Sequence, residues 1–246
     1  MIKLVLAELR ELTRFPLIDI CLTATLIMVS LGMLWMIPVA EPSASQSIVD
    51  TLLKQVLFYG FNSAQIFIAF LLAITSSLSI ARDYEMGKMH VLLTLPVSRK
   101  SYLLSKIISS LILSLVASAF SLAVGVIPNF YFNLGKLPSP YIQTLTAIVL
   151  LSMFYMSIFL PITLILKKTL PSILTSIAVA LAIEAGSKLI GEQYGFLPTL
   201  CYSKLAYYLL GLGSLDTWVF IASILYPIPF LLAGIWYFDK RFEVGK

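Results

Sequence analysis

Residues 82–106 read RDYEMGKMHVLLTLPVSRKSYLLSK. This charged interval separates two strongly apolar runs. It holds five basic residues (Arg82, Lys88, Arg99, Lys100 and Lys106), the acids Asp83 and Glu85, and the sole histidine, His90. Each flanking run exceeds the roughly 20 apolar residues that a helix needs to cross hydrocarbon. The interval therefore reads as a water-facing connection between two membrane spans.

The rest of the chain agrees. Of 246 residues, 59% are hydrophobic and 12% charged, whereas soluble domains carry about 25% charged residues. The surface must meet lipid, and residues 1–246 read as one membrane domain. The net charge of +5 is spread along loop ends without a basic–aromatic patch, so no nucleic-acid partner is expected. Cys21 and Cys201 fall towards opposite membrane faces, and no disulfide is expected between them. The opening MIKLVLAELRELTRFP is not read as a signal peptide, because Glu8, Arg10 and Glu11 interrupt its apolar stretch.

Residues 1–15 are expected to form an amphipathic helix. Ile2, Val5, Leu6, Leu9 and Leu12 recur on one side and Lys3, Arg10 and Arg14 on the other, which suits a position in the membrane interface. Six spans follow, at about Pro16–Ala40, Gln55–Ile80, Tyr102–Ile127, Ile142–Leu166, Pro171–Ile190 and Thr217–Phe238. Glu41 to Asp50 reads as a polar link, and Pro128 and Asn129 as the end of the third span. Pro161 predicts a kink in the fourth. Residues 191–216 hold a tyrosine-rich helical stretch too short to cross, which predicts an extracytoplasmic interfacial or re-entrant segment. With the N-terminus inside, 13 of the 17 Lys and Arg residues fall on the inner side and 4 outside. The positive-inside rule then places both termini and residues 82–106 in the cytoplasm.

Residues for chemistry are few. A single histidine cannot form a His–His metal pair, so no metal site is expected. There is no G-x-x-x-x-G-K-[ST] phosphate loop and no catalytic constellation. Asp19, near the inner end of its span, can stay hydrated. Glu184 is an acid at membrane depth, which is a functional signal. Ser172, Ser176, Ala180 and Glu184 share a helix face, continued by Ser187. Asn62, Gln65, Ala69, Ala73 and Ser76 form a similar face on the second span. Such faces either pack helices closely or line a substrate path, and residue types alone leave both open.

The opening stretch has its own grammar. Glu85 and Gly87 precede an apolar patch, Val91–Leu95, and Pro96 disfavours helix in Leu95. Ser98 or Ser101 can cap the helix that follows. The run Glu85-x-Gly87, apolar residues, Pro96-Val97-Ser98-Arg99 and then Lys106 resembles the ABC-2 type permeases. Lys88 departs from the family, which commonly has Thr there. The resemblance implies an all-α integral membrane fold with six spans. It also implies an export-type ABC transporter subunit of the cytoplasmic membrane. Residues 83–100 would be the coupling segment that meets a separate ABC ATPase, with Glu85, Gly87, Leu92, Pro96, Ser98 and Arg99 as its marked residues. ATP and Mg would sit on that partner, with no cofactor on this chain. A second permease subunit would complete the pathway as a homodimer or heterodimer, with Asn62, Gln65, Ser176 and Glu184 as candidate lining residues. An ATP-independent six-span carrier, or a structural membrane subunit, is the alternative. An intramembrane enzyme would need convergent acids or histidines, and only Asp19 and Glu184 lie within spans.

Overall fold

The computed structural model describes residues 2–34, 46–89, 98–132, 139–190, 197–214 and 217–240. All regular structure among them is helical: α1 (Ile2–Leu12), α2 (Pro16–Leu34), α3 (Gln46–Ser76), a π-helical turn (Ser77–Ala81), α4 (Arg82–Glu85), α5 (Arg99–Phe132), α6 (Ser139–Leu166), α7 (Thr169–Ile190), α8 (Pro198–Leu209), α9 (Thr217–Leu225) and α10 (Pro227–Lys240). Five helical segments are long and apolar enough to cross a membrane: Thr51–Glu85, Arg99–Ala123, Ser139–Leu166, Thr169–Ser187 and Thr217–Lys240. α1 and α2, bent by 85° where they meet, pass the same test only as a pair, so the described residues hold five or six candidate spans.

The core forms around α3 and α6, which are apolar on several sides. Phe61, Ile68 and Leu72 of α3 are buried, as are Leu151, Phe154, Tyr155 and Phe159 of α6. The Phe154 ring meets Tyr202 of α8 at 5.4 Å, and Tyr155 stacks with Phe159 at 5.8 Å. The outer surface is itself apolar. Ile27 and Met28 of α2, Phe120 of α5, Leu174 of α7, and Leu232 and Trp236 of α10 stand exposed. Water would penalise so large an apolar surface, and hydrocarbon does not.

Several boundaries differ from the sequence reading. Gln46 to Asp50, read as part of a polar link, are the first residues of α3. That helix is 31 residues long, or about 46 Å, so its start extends past the roughly 30 Å hydrocarbon core. At the other end the π turn and α4 continue it to Glu85, so the charged stretch begins inside a helix. The third span does not stop at Pro128, since α5 runs on to Phe132. A proline removes only one donor, and a membrane helix can continue past it. The last span is two helices broken at Tyr226, where Pro227 disfavours helical backbone in the residue before it. In α1 the covered residues are Val5, Glu8 and Leu12, while Ile2 and Leu6 stand exposed. The buried side thus takes Val5 and Leu12 from the apolar stripe together with an acid, and leaves Ile2 and Leu6 of the stripe outside. In α8, Cys201, Tyr202, Leu205 and Ala206 are buried against the other helices.

Gly60 marks a close approach of α3 to α2 and α5. A Cβ there would lie 2.7 Å from Met33 Sδ of α2 and 2.9 Å from Leu122 Cδ2 of α5. Gly60→Leu should overpack this junction and cost about 1–3 kcal/mol. A lower melting temperature in detergent checks this, and an unchanged one would refute the close approach.

Candidate functional site

The ends of three elements converge on one ammonium. Lys106 sits near the start of α5 and is 2% exposed. Its Nζ donates to Glu8 Oε2 of α1 and to Asp83 Oδ2 of α4, each at 2.5 Å. Tyr102, one helical turn before Lys106, donates its hydroxyl to the same Asp83 oxygen at 2.7 Å. Its ring lies 5.1 Å from Lys106 Nζ and stacks on Phe238 of α10. Glu8 and Asp83 are both buried. Burial pushes the Glu8 carboxyl above the usual carboxylate range, with Lys106 acting in the opposite direction. Around the cluster lies a cavity of about 370 Å³, lined also by Leu4, Ala7, Glu11, Lys88 and Ser105. Lys88 pairs with Glu11 at its rim. Arg82 faces elsewhere, with its guanidinium 4.0 Å from the centre of the Phe15 ring.

Just beyond, α4 ends in a glycine cap. Met86 N bonds Arg82 O at 2.8 Å and Gly87 N bonds Tyr84 O at 3.0 Å. Gly87 has φ +71° with open space where a Cβ would stand. A side chain there would be strained by backbone conformation, so glycine is the residue that fits. The Glu85 carboxylate accepts from the Thr169 backbone N–H at 3.1 Å and from its hydroxyl at 2.6 Å. Leu92 and Pro96 lie outside the described residues. Ser98 is the N-cap of α5, its Oγ accepting from Ser101 N at 3.2 Å. Arg99 is exposed, and its neighbour Lys100 pairs with Asp239 of α10 at 3.5 Å.

The candidate pathway residues fall in two places. Gln65 Nε2 donates to Ser203 Oγ of α8 at 2.7 Å, and Ser203 Oγ donates to Asn62 Oδ1 at 3.0 Å. These two therefore tie α3 to α8. On α7, Ser172, Ser176, Ala180 and Ser187 are buried, and the Ser172 and Ser176 hydroxyls have no hydrogen-bond partner among the described residues. Glu184 continues that line, half-buried.

Residues 4–183 match a family model described as ABC-2 family transporter protein. The chain belongs to this family. It is a multi-pass membrane transport protein of the ABC-2 permease kind. The search of curated proteins returned no match. The family match covers Glu8, Asp83, Lys106 and the Glu85–Thr169 contact, and it stops one residue short of Glu184. Glu8, Asp83, Tyr102, Lys106 and Thr169 are not among the candidate site residues named from the sequence, although Asp83 and Lys106 belong to its charged stretch. The signal for Glu8 was Lys106 itself, because a charge inside an apolar run needs a buried counter-charge.

Lys106→Met would leave two buried carboxylates without their cation, at a cost of about 3–5 kcal/mol. Thermal denaturation in detergent should show that loss, and adding Glu8→Gln with Asp83→Asn should recover more than half of it. Simple additivity of the three changes would show that they do not form one unit.

The rim pair gives a pH signature. Lys88 holds the Glu11 carboxyl below its ordinary value of 4.5, so this contact's stabilisation is complete above that value. It is lost as pH falls through the depressed value. Glu11 in turn raises Lys88 above its ordinary 10.5, and the contribution then disappears as pH rises through that raised value. Amide protection factors in α1, taken relative to the intrinsic exchange rate at each pH, should therefore fall as pH drops below 4.5, and Glu11→Gln should remove that acid-side step.

Proposed function

We propose that this chain is the permease subunit of an ABC exporter. It moves its substrate across the cytoplasmic membrane, driven by ATP hydrolysis on a separate nucleotide-binding subunit that holds ATP and Mg. A second permease subunit, identical or paired, completes the pathway. The family match carries this reading, because it runs through both sides of the Arg82–Lys106 stretch. The excess of basic residues on one side supports cytoplasmic termini and a cytoplasmic coupling segment at residues 83–100.

The charge cluster supports how force would enter. α1, α4 and α5 are joined at Lys106, so a partner that displaces the segment beyond Gly87 moves three helix ends together. ATP then biases inward- against outward-accessible arrangements through contacts that differ between the two states. Leu92, Pro96, Ser98 and Arg99 would serve this docking segment. Asn62 and Gln65, at the contact of α3 with α8, and Ser176 and Glu184 on α7 would line the path. The substrate fits the class of amphiphiles, lipids, drugs or peptides, because the spans are largely apolar.

Copurification tests the reading. A Walker-type ATPase should remain bound to the unmutated chain through detergent extraction. Leu92→Pro should reduce its recovery at least fivefold without lowering permease abundance. If no ATPase copurifies, or if Leu92→Pro retains it fully, the assignment fails.

A further inference from the structure

The start of α7 is built without a cap of its own. Ser172 N bonds Lys168 O at 3.1 Å, which makes Lys168 the N-cap residue and Thr169, Leu170 and Pro171 the first helical turn. Ser, Thr, Asp and Asn cap helices because their side chains accept from the first free N–H groups. Lysine has no acceptor, so Lys168 cannot do this. Pro171 has no N–H, which leaves the donors of Thr169 and Leu170 to be satisfied from elsewhere.

The acceptor comes from another span. Glu85, the last residue of α4, takes both the Thr169 N–H and the Thr169 hydroxyl. A carboxylate there also meets the positive end of the α7 dipole. A second contact lies alongside. Lys167, held at a left-handed φ of 54° between α6 and α7, places its ammonium 4.8 Å from the centre of the Tyr84 ring. Two consecutive residues of α4 thus grip the turn that opens α7. Just beyond Glu85 the chain turns at Gly87 into the proposed docking segment.

We propose that Glu85 is a positioning residue that acts inside this chain. Through Thr169 it transmits displacement of the segment after Gly87 to α7, the helix that carries Ser172, Ser176 and Glu184. This rests on the coupling role proposed above, and it moves Glu85 from the partner's docking surface to an internal joint. The assignment accounts for an exposed acid at the end of a span. It also accounts for a helix start that lacks any local cap.

The test uses the permease–ATPase complex in nanodiscs, with Ala185→Cys as reporter on the exposed side of α7 and Cys21→Ala as background, Cys201 being buried. The probe is a membrane-impermeant maleimide, applied without nucleotide and with ATP, Mg and vanadate. The unmutated joint should show a nucleotide-dependent change in labelling rate. Glu85→Gln and Thr169→Val should each shrink that change at least threefold while the ATPase stays bound, and Thr169→Ser should retain it. In the permease alone, Glu85→Gln should speed amide exchange at 169–170.

Unmutated responses from both Glu85→Gln and Thr169→Val would overturn the proposal. So would unchanged exchange at 169–170 in Glu85→Gln, a readout that needs no ATPase. Loss of the ATPase from Glu85→Gln but not from Thr169→Val would make Glu85 a partner contact, and would also overturn it. If no ATPase binds the unmutated chain, the coupling reading fails and the joint's proposed role fails with it.

Discussion

Lys106 is almost wholly enclosed, and a buried ammonium with no counter-charge costs several kcal/mol. Two acids must therefore reach it, and they come from different parts of the chain. Asp83 arrives on the continuation of α3, and Glu8 arrives on α1. That requirement sets how α1 is rotated. Hydrophobicity alone would cover Ile2 and Leu6. The ion pairs instead turn Glu8 inward, and leave those two apolar side chains on the outside where lipid can meet them. Tyr102 adds a hydrogen bond to Asp83 and stacks on Phe238, so the last helix is drawn to the same corner.

Buried ion pairs are weak sources of net stability, because desolvation offsets most of the attraction. Their effect is on geometry. Apolar attraction is non-directional, whereas a lysine bound to two carboxylates at 2.5 Å has one good arrangement. The cluster fixes the relative positions of helix ends that lipid-facing spans would otherwise hold loosely. The contrast with the middle of the protein is clear, where Phe61, Phe154 and Phe159 pack by shape alone.

Much of the fold was legible in the sequence, because membrane spans leave a strong signal. Runs of about 20 apolar residues can hardly be anything else, and α2, α5, α6 and α7 begin within a few residues of where those runs do, while α3 starts in the polar letters before its run. Helix ends were less legible. Nothing local marks the extension of α5 past Pro128, and the break at Tyr226 needed more weight on Pro227. The site was legible in part. Gly87 and Ser98 carry local signatures, a positive φ and an N-cap. Glu8 and Thr169 do not, because each matters through a residue about 100 or 80 positions away. A charge in an apolar run announces that it needs a partner but not which one.

The π turn at Ser77–Ala81 accommodates one residue more than an α-helical turn would. Everything after it is therefore out of phase with α3. Rewinding the same residues as an uninterrupted α-helix would swing α4 by about 100° and push it out by about 1.5 Å. Asp83 would then face away from Lys106, and Glu85 away from Thr169. The span and its charged end behave as two separately set dials. The apolar side of α3 is free to vary for packing, while five residues of wider winding keep the acids aimed at their partners.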